Sequence, residues 1–396
     1  MDLNYTPQQN AFRAEVRSWL EANVPKQPLE HYDATREGFE AHRQWEATLK
    51  SGDWGMVTWP KEYGGRGVDL IQWLIFEEEY YRAGAPGRVN QNGIFLLGPT
   101  LMEFGTHEQK QRFLPPMAAG EEIWAQAWSE PQAGSDLAGI RATAQRAKNA
   151  NGDDEYVLNG HKIWSSRGAF ADWAFGLFRE PGSERHKGTS LIFFRLDQPG
   201  VTRNPIRKIN GHPGFAEIFL EDVRVPAFNR LGDEGQGWHI CMATAGFERG
   251  LMLRSPARYQ AAAAKLAALW QARKVNSRDA GADPVLEADV IRAFMNAEAY
   301  ALSIYQTASR LIAGAKIGPE ASTNKIFWSE LDIHLHRTAL AILGEEAELL
   351  PSAARLAAGD PDWLDDYIFS LAGPIYAGSN EIQRNIIAER MLGLPR

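Results

Sequence analysis

Residues 156–164 read Tyr-Val-Leu-Asn-Gly-His-Lys-Ile-Trp. β-Branched and aromatic residues dominate this stretch, which is typical of a β-strand. Residues 189–196 and 217–225 have the same character, and turns rich in Gly and Pro separate the runs. Together these runs predict an antiparallel β domain over about residues 121–235.

Helical patterns precede this β domain. Thr6, Pro7 and Gln9 supply an N-cap hydroxyl, a proline at the first helical position and a glutamine at the third, so a helix is predicted to begin there. Other segments with apolar residues at helical spacing are 38–49, 70–83, 98–104 and a short stretch that opens at Thr106. Residues 1–120 are therefore predicted to form a helical domain.

Long helices are also predicted after residue 235. Ala-rich segments follow one another at 238–273, 285–314, 319–344 and 347–358. Four such helices pack as a bundle, and Pro256 should kink the first or mark a break, because proline lacks a backbone donor. The predicted fold class is α+β, with an N-terminal helical domain at 1–120, a middle antiparallel β domain at 121–235 and a C-terminal four-helix bundle at 236–396.

Composition narrows the classes of function. The chain has 396 residues and a net charge of -8, so it lacks the positive field that binding to nucleic-acid backbones requires. A single cysteine, Cys241, excludes an internal disulfide and a thiolate metal cage, which indicates a reducing compartment such as the cytoplasm. The apolar stretch 261–270 is about half as long as a membrane span. We expect no nucleic-acid partner and no membrane span.

Common catalytic and metal-binding motifs are missing from the sequence. It contains no GxSxG, GxxxxGK[ST], HExxH or CxxC. His334 and His336 would point to different sides of a helix and have no third ligand, so a metal site is not predicted. Gly232–Gly237 is a loose glycine pattern without a βαβ context, and we interpret it as a domain hinge rather than a dinucleotide site.

Five sequence motifs point to one family. In chain order they are Trp59–Gly67, Ala127–Leu137 (AWSEPQAGSDL), Gly160–Ser166 (GHKIWSS), Glu217–Pro226 (EIFLEDVRVP) and Tyr376–Asn385 (YAGSNEIQRN). In these motifs and their order, nearly the whole chain resembles the acyl-CoA dehydrogenase family. The resemblance implies FAD as the cofactor and an acyl-CoA thioester as the substrate.

The resemblance also implies which residues contact FAD. A flavin ring needs a stacking face, hydrogen-bonding groups at its polar edges and one open face for substrate. By resemblance, Trp164 flanks the flavin and Ser166 hydrogen-bonds near N5. The other implied contacts are Ser129 with the backbone from Gln126 to Trp128 at the pyrimidine edge, Ser135 toward the CoA, and Ser379 and Glu381 on the remainder of the cofactor.

The catalytic base is the position at which the chain departs from most of the family. α,β-Dehydrogenation needs a base that removes the proton α to the thioester. Most members carry Glu directly after the tyrosine of the terminal motif, but here that residue is Ala377, whose backbone N–H can still donate to the thioester oxygen. A minority place the carboxylate in a Glu-Arg pair on the first C-terminal helix. Glu248 is therefore the predicted base, and Arg249 is its neighbour on the substrate side.

Two further departures concern segments that family members extend to the flavin of a neighbouring subunit. The loop 272–284 lacks the usual Phe-Gly, and Ala341–Glu346 replaces a Gln-x-x-Gly-Gly motif with two carboxylates, which would repel a pyrophosphate. We therefore expect a homologous second subunit in an α2β2 assembly, with this chain resembling the base-bearing subunit of bacterial dehydrogenases for steroid side chains or pimeloyl-CoA. A diverged homo-oligomer is the alternative. By analogy with the family, the electron acceptor is an electron-transfer flavoprotein.

Two other functions stay open at this point. A flavin-dependent oxidase or monooxygenase could use the same scaffold, although Glu248 and Ser135 argue against it. Alternatively, the chain could be a non-catalytic structural subunit of a dehydrogenase complex. The polar stretch 90–93 indicates either a partly polar acyl site or an exposed loop. Which acyl chain is oxidised is not predicted.

Overall fold

The computed structural model describes residues 4–248, 255–276, 283–315, 317–349 and 361–395, without the side chains of 247, 248, 275 and 276. The chain divides into two compact units, each assembled from separate stretches of sequence. The bundle unit comprises residues 1–28, 68–86 and 249–396, and the sheet unit comprises 29–67 and 87–248. The domain boundaries at residues 120 and 235 stay predictions.

A mainly antiparallel sheet forms the centre of the sheet unit. The described strands are β1 Trp124–Ala127, β2 Thr143–Lys148, β3 Asp154–Ser166, β4 Trp173–Arg179, β5 Thr189–Arg195, β6 Val201–Ile206, β7 Phe215–Pro226 and β8 Arg230–Leu231. Their order is β6-β7-β3-β2-β4-β5-β8, and β1 pairs in parallel with β4. The runs predicted from sequence are β3, β5 and β7, and the α+β fold class is confirmed.

Burial explains the composition of the strands. β4 is buried along its whole length and β5 along nearly all of it, so both faces carry apolar side chains. The edge strand β6 contains only exposed and half-buried residues and tolerates Pro205, because an edge strand has fewer ladder hydrogen bonds to supply. Phe39 and Val89 from flanking segments complete the hydrophobic core around the strands.

Helices occupy most of the remaining described chain. They are α1 Pro7–Asn23, α2 Arg36–Ser51, α3 Leu70–Arg82, α4 Gly98–Phe104, α5 His107–Ala118, α6 Gly237–Glu248, α7 Pro256–Asn276, α8 Pro284–Ile312, α9 Ala321–Leu343, α10 Trp363–Ser370 and α11 Asn380–Ile386. None of the helices in the described ranges combines the length and the apolar character that crossing a membrane requires.

Capping residues set the beginnings of two N-terminal helices. Thr6 accepts a hydrogen bond from the Gln9 amide, and the Gln9 side chain accepts one from the Thr6 amide. The predicted capping box of α1 is therefore confirmed. Thr106 and Gln109 form the same reciprocal pair at the start of α5.

The C-terminal helices differ from their predicted bounds. The segment predicted at 238–273 forms α6 and α7, and α7 begins at Pro256, so the predicted break at this proline is confirmed. Most of the predicted helix at 347–358 lies outside the described residues. The pattern does not predict α10 and α11, because each is too short to show a clear helical period.

In the bundle unit, a buried carboxylate joins α1 to α3. Glu79 accepts hydrogen bonds from Arg13 Nη1 at 3.0 Å, Arg17 Nη2 at 2.8 Å and Arg82 Nε at 2.7 Å. Burial alone would raise the pKa of Glu79, but the hydrogen bonds from Arg17, Arg82 and Arg13 outweigh it and lower the pKa to about 2. The charged form of Glu79 therefore stabilises this part of the fold.

We expect Glu79→Gln to lower the free energy of unfolding at pH 7 by about 1 to 2 kcal/mol, a range kept small because solvent screens the half-exposed Arg17 and Arg82. The folded-state pKa of Glu79 lies below the unfolded value of about 4.3. Its contribution is thus complete above that value and is lost as the pH falls through about 2. Urea unfolding at several pH values measures this, with exposed Glu37→Gln as the control. Equal pH dependence of wild type and Glu79→Gln would contradict the prediction.

Candidate active site

A buried ion pair joins the motif at 127–137 to the motif at 160–166. Lys162 in β3 is fully buried, and its Nζ lies 2.8 Å from Glu130 Oε1. The same ammonium donates to the backbone oxygens of Trp128 at 3.3 Å and Leu177 at 2.6 Å. Three oxygens from two segments, residues 128–130 and Leu177, thus satisfy one buried charge.

Glu130 is fixed on its other side by backbone amides. It accepts hydrogen bonds from the amides of Arg141 at 2.6 Å and Ala142 at 3.0 Å. Burial alone would raise the pKa of Glu130, but the charge of Lys162 and these hydrogen bonds lower it. The carboxylate therefore stays ionised and holds its loop against the sheet.

Trp164 projects into solvent from an irregular part of β3. Its φ is 59°, and the pairing register between β3 and β7 shifts between Lys162 and Ser165. The residue is 58% exposed although it is large and apolar, and its ring meets the Phe215 ring edge-on at 6.0 Å. An exposed indole face in a fixed position is suited to stacking on a planar ligand.

The predicted polar residues beside Trp164 lie at different depths. Ser129, Ser166 and Gln126 are half-buried, so their polar groups can meet a ligand. The Ile163 amide donates to the Ser129 backbone oxygen at 2.9 Å, which bonds the Ser129 loop directly to β3. Ser135 is exposed on the turn that follows this loop. The structure therefore places the Ser129 backbone beside Ile163, directly before Trp164, and places Ser135 on a surface turn.

Trp128 packs in the core of the sheet unit. The residue is 7% exposed, and its ring meets Phe175 edge-on at 6.0 Å. Its Nε1 is a buried donor without a partner among the described residues. The predicted contribution of Trp128 through its backbone fits this placement, because its side chain is enclosed.

The polar stretch 90–93 is largely buried, so the exposed-loop alternative is wrong. Asn90 Nδ2 donates to the backbone oxygens of Met117 at 2.9 Å and Glu122 at 3.0 Å. The neighbouring Asn92 begins a π-helical turn, a conformation that is frequent at functional sites. Asn92 Nδ2 donates to the Ser166 backbone oxygen at 3.4 Å, so this turn lies against the end of β3.

In the bundle unit, the terminal motif forms a tight turn at Ala377. Ala377 has φ 57°, a left-handed conformation that is uncommon outside glycine. Gln383 Nε2 donates to the backbone oxygens of Ala377 at 3.2 Å and Gly378 at 3.0 Å, which holds the turn. Among the described residues, no backbone oxygen accepts a hydrogen bond from the Ala377 amide.

Ser379 and Glu381 lie at the start of α11. The Ser379 side chain caps the helix and accepts from the Ile382 amide at 3.4 Å. Between them, the buried Asn380 accepts from Lys325 Nζ at 2.8 Å, which anchors the helix start. The Glu381 side chain is 78% exposed, and hydrogen bonds from its own backbone and from Ser379 lower its pKa. Glu381 therefore presents an ionised carboxylate to its surroundings.

The predicted base lies at the edge of the described chain. Glu248 is the last residue of α6, but its side chain and the whole of Arg249 lie outside the described residues. The loop at 272–284 is described only at its two ends. Glu345 and Glu346, in the segment that replaces the family's Gln-x-x-Gly-Gly motif, are exposed in a short turn that follows α9.

Two side chains that organise these motifs are not predicted from the sequence. Lys162 and Gln383 are both fully buried, and each donates to the backbone oxygens of a predicted ligand-binding segment. A lysine in an apolar strand is a usable signal, since lysine is almost never fully buried unless it is paired. Gln383 offers no comparable signal, because glutamine in a short helix is mostly exposed.

Comparisons with known proteins point to one family. Sequence models match three parts of the chain: acyl-CoA dehydrogenase N-terminal domain at 6–121, middle domain at 125–223 and C-terminal domain at 235–392. Acyl-CoA dehydrogenase IpdE1 of Mycolicibacterium smegmatis is 38% identical over 97% of each chain. The ChsE4-ChsE5 complex from Mycobacterium tuberculosis contains a chain with 32% identity and a TM-score of 0.84, with both chains fully covered. A chain of the Tcur3481-Tcur3483 steroid ACAD has 28% identity and a TM-score of 0.82 at the same coverage.

Replacing Lys162 by Met should reduce the free energy of unfolding by about 3 to 5 kcal/mol, because the Glu130 carboxylate then stays buried without its cation. The double variant Lys162→Met/Glu130→Leu should recover much of this loss, since no charge is left unpaired. Lys148→Met breaks the exposed pair with Asp154 and is the control, with an expected loss below about 1 kcal/mol. Urea unfolding of the wild type and the three variants measures these losses. A loss for Lys162→Met as small as that of the control would contradict the structural role of the pair.

Proposed function

The chain belongs to the acyl-CoA dehydrogenase family, and on that premise we propose that it oxidises its acyl-CoA thioester with FAD as the cofactor and Glu248 as the base. The product is the trans-2-enoyl-CoA. The observation that carries this proposal is the turn at Ala377, which lacks the usual carboxylate and keeps an amide without a described partner. A base from elsewhere in the chain is then required.

The residues of the sheet unit fit a flavin. FAD, when bound, accepts the β-hydrogen of the substrate as a hydride. The exposed face of Trp164 offers a stacking surface, and the half-buried hydroxyls of Ser129 and Ser166 offer polar contacts for the ring edges. The remaining proposed contacts come from the backbone at Gln126 and Trp128, from Ser135 on the CoA side, and from Ser379 and Glu381.

Proton removal at the α-carbon divides between two groups of this chain. The Ala377 amide donates to the thioester oxygen, stabilises the negative charge that develops there and so acidifies the α-carbon. Glu248 then takes the α-proton, with Arg249 beside it on the substrate side. A carboxylate with an ordinary pKa of about 4.3 is a weak acceptor for such a proton, so a base in this role needs a desolvated environment.

Glu248→Gln should lower kcat by about 10²- to 10⁴-fold, because glutamine has a similar shape but cannot take a proton. The FAD content should stay at the wild-type level. Anaerobic reduction of the flavin by an acyl-CoA measures the chemical step, and reoxidation in air is followed afterwards. Rapid reoxidation would favour the oxidase or monooxygenase alternative over the dehydrogenase.

Two further variants sharpen this experiment. Glu103→Gln changes an exposed glutamate of α4 and should keep wild-type turnover. In the Glu248→Gln background, Ala377→Glu places a carboxylate where most of the family has one and should restore part of the activity. Near-full activity of Glu248→Gln alone would remove Glu248 from the chemistry and favour a non-catalytic subunit.

We also propose that a homologous second subunit completes the flavin site in an α2β2 assembly. Glu345 and Glu346 are exposed in the segment that stands in place of the Gln-x-x-Gly-Gly motif, and two carboxylates there would repel the pyrophosphate of a neighbour's FAD. Two similar structures are named as pairs of chains, ChsE4-ChsE5 and Tcur3481-Tcur3483, and the second is a steroid ACAD. By analogy, the acyl group is bulky or steroid-derived and electrons pass to an electron-transfer flavoprotein.

The chain purified alone should hold much less than one FAD per chain. Co-expression with a homologous subunit that carries intact Phe-Gly and Gly-Gly motifs should raise the FAD content to one per chain of this protein. Light scattering and flavin absorbance measure the assembly and its FAD content. Glu345→Gly/Glu346→Gly should raise the FAD content of the chain alone, because it removes the repulsion. Stoichiometric FAD on the unaltered chain alone would contradict the second subunit and favour a homo-oligomer.

A further inference from the structure

We propose that Arg167 binds a second carboxylate on the acyl group of the substrate and so determines which acyl-CoA is oxidised. This inference rests on the proposed dehydrogenation. The observation behind it is a buried guanidinium that the described protein leaves without a counter-ion, next to a residue proposed to contact the flavin.

The surroundings of Arg167 supply one hydrogen bond and one aromatic face. The residue is 8% exposed, and its Nη2 donates to Gln91 Oε1 at 2.8 Å. Its guanidinium carbon lies 5.0 Å from the centre of the Tyr32 ring, in a cation–π contact. Its Nε is buried and finds no hydrogen-bond acceptor in the described part of the chain. Within those residues, no carboxylate lies within 4.0 Å of the guanidinium.

Other buried basic side chains of the sheet unit show fuller compensation. Arg88 and Lys162 each pair with a buried glutamate, at 2.7 Å and 2.8 Å respectively. Arg179 donates to four backbone oxygens of the adjacent loops. Arg167 has a single amide oxygen in the same role. The incomplete pairing is therefore specific to Arg167, since Arg88, Lys162 and Arg179 are more fully paired.

An arginine in this position cannot relieve its charge by losing a proton. A buried lysine can become neutral, whereas the guanidinium stays charged at every pH that proteins tolerate. A buried charge that is only partly paired is costly, so an anionic ligand that enters here supplies the compensation that Gln91 and Tyr32 leave incomplete. A neutral ketone or hydroxyl group would leave the charge in place. A carboxylate also matches the planar fork of guanidinium donors.

The backbone around Arg167 fixes where its side chain begins. Arg167 directly follows Ser166, has φ 65° and accepts a hydrogen bond from the Ala171 amide at 2.9 Å. Gln91 directly precedes the π-helical turn that bonds the Ser166 backbone. The guanidinium thus lies between the segment proposed to contact the flavin and that turn. The CoA phosphates are assigned to the opposite end of the thioester, on the side of Ser135, so the acyl end supplies the carboxylate.

The test compares acyl-CoAs that differ by one carboxylate. The FAD-loaded enzyme is assayed with adipyl-CoA against hexanoyl-CoA, and with pimeloyl-CoA against heptanoyl-CoA. Wild type should favour the carboxylated member of each pair. Arg167→Gln should lower kcat/KM for that member by roughly 100-fold and leave the unsubstituted member within about threefold, because only the first loses a buried charge pair. Arg167→Lys keeps the charge and should retain part of the preference.

One control variant and one binding measurement distinguish failure of the Arg167 proposal from failure of the proposed function. Arg195→Gln removes an exposed arginine that pairs with Asp197 and should leave both substrates unchanged. Equal losses on both members of a pair, or no preference in wild type, would overturn the role of Arg167 while leaving dehydrogenation intact. If no acyl-CoA is oxidised, the proposed function fails. In that case the ratio of dissociation constants for adipyl-CoA and hexanoyl-CoA, compared between wild type and Arg167→Gln by calorimetry, still decides whether Arg167 binds the carboxylate.

Discussion

Burial of the Lys162 ammonium is the constraint on which the sheet unit depends. In a regular strand, residues 162 and 164 would face the same side of the sheet. Here Lys162 is fully buried and Trp164 is 58% exposed, so the chain cannot continue as a regular strand between them. The register shift and the positive φ of Trp164 turn the indole outward while the lysine stays inward. The exposed aromatic face thus follows from the need to satisfy one internal charge.

The terminal turn of the bundle unit also depends on a buried polar side chain that donates to backbone oxygens, and here that side chain is neutral. The Gln383 amide holds the backbone oxygens of Ala377 and Gly378, and Lys325 holds the neighbouring Asn380. A left-handed alanine persists only where its surroundings fix it. Once the carbonyl groups point at Gln383, the Ala377 amide is left without a described partner. A buried polar side chain thus holds both carbonyl groups, and within the described residues the Ala377 amide keeps no backbone acceptor.

The sequence predicts those features that depend on local pattern. The strand at 156–164 follows from its β-branched and aromatic residues, and the start of α1 follows from Thr6 and Gln9, because each signal lies within a few residues. No glycine or proline adjoins Trp164 to indicate the irregularity there. It depends on where the Lys162 side chain finds oxygens, two of which come from residues 128–130 and one from Leu177. Long-range polar contacts of this kind are not encoded in any short window of sequence.

The burial of Asn90 also shows that a short sequence pattern does not predict long-range polar contacts. Its polar neighbours suggest a surface loop, yet Asn90 is fully buried because Met117, Glu122 and Trp124 supply partners for its amide. Polarity therefore does not predict exposure when the fold supplies hydrogen-bonding groups at the right distance. What distinguishes a structural polar group is whether its buried donors and acceptors all have hydrogen-bond partners. Asn90 and Lys162 have such partners and are structural, whereas Arg167 holds a charge that its described neighbours only partly satisfy.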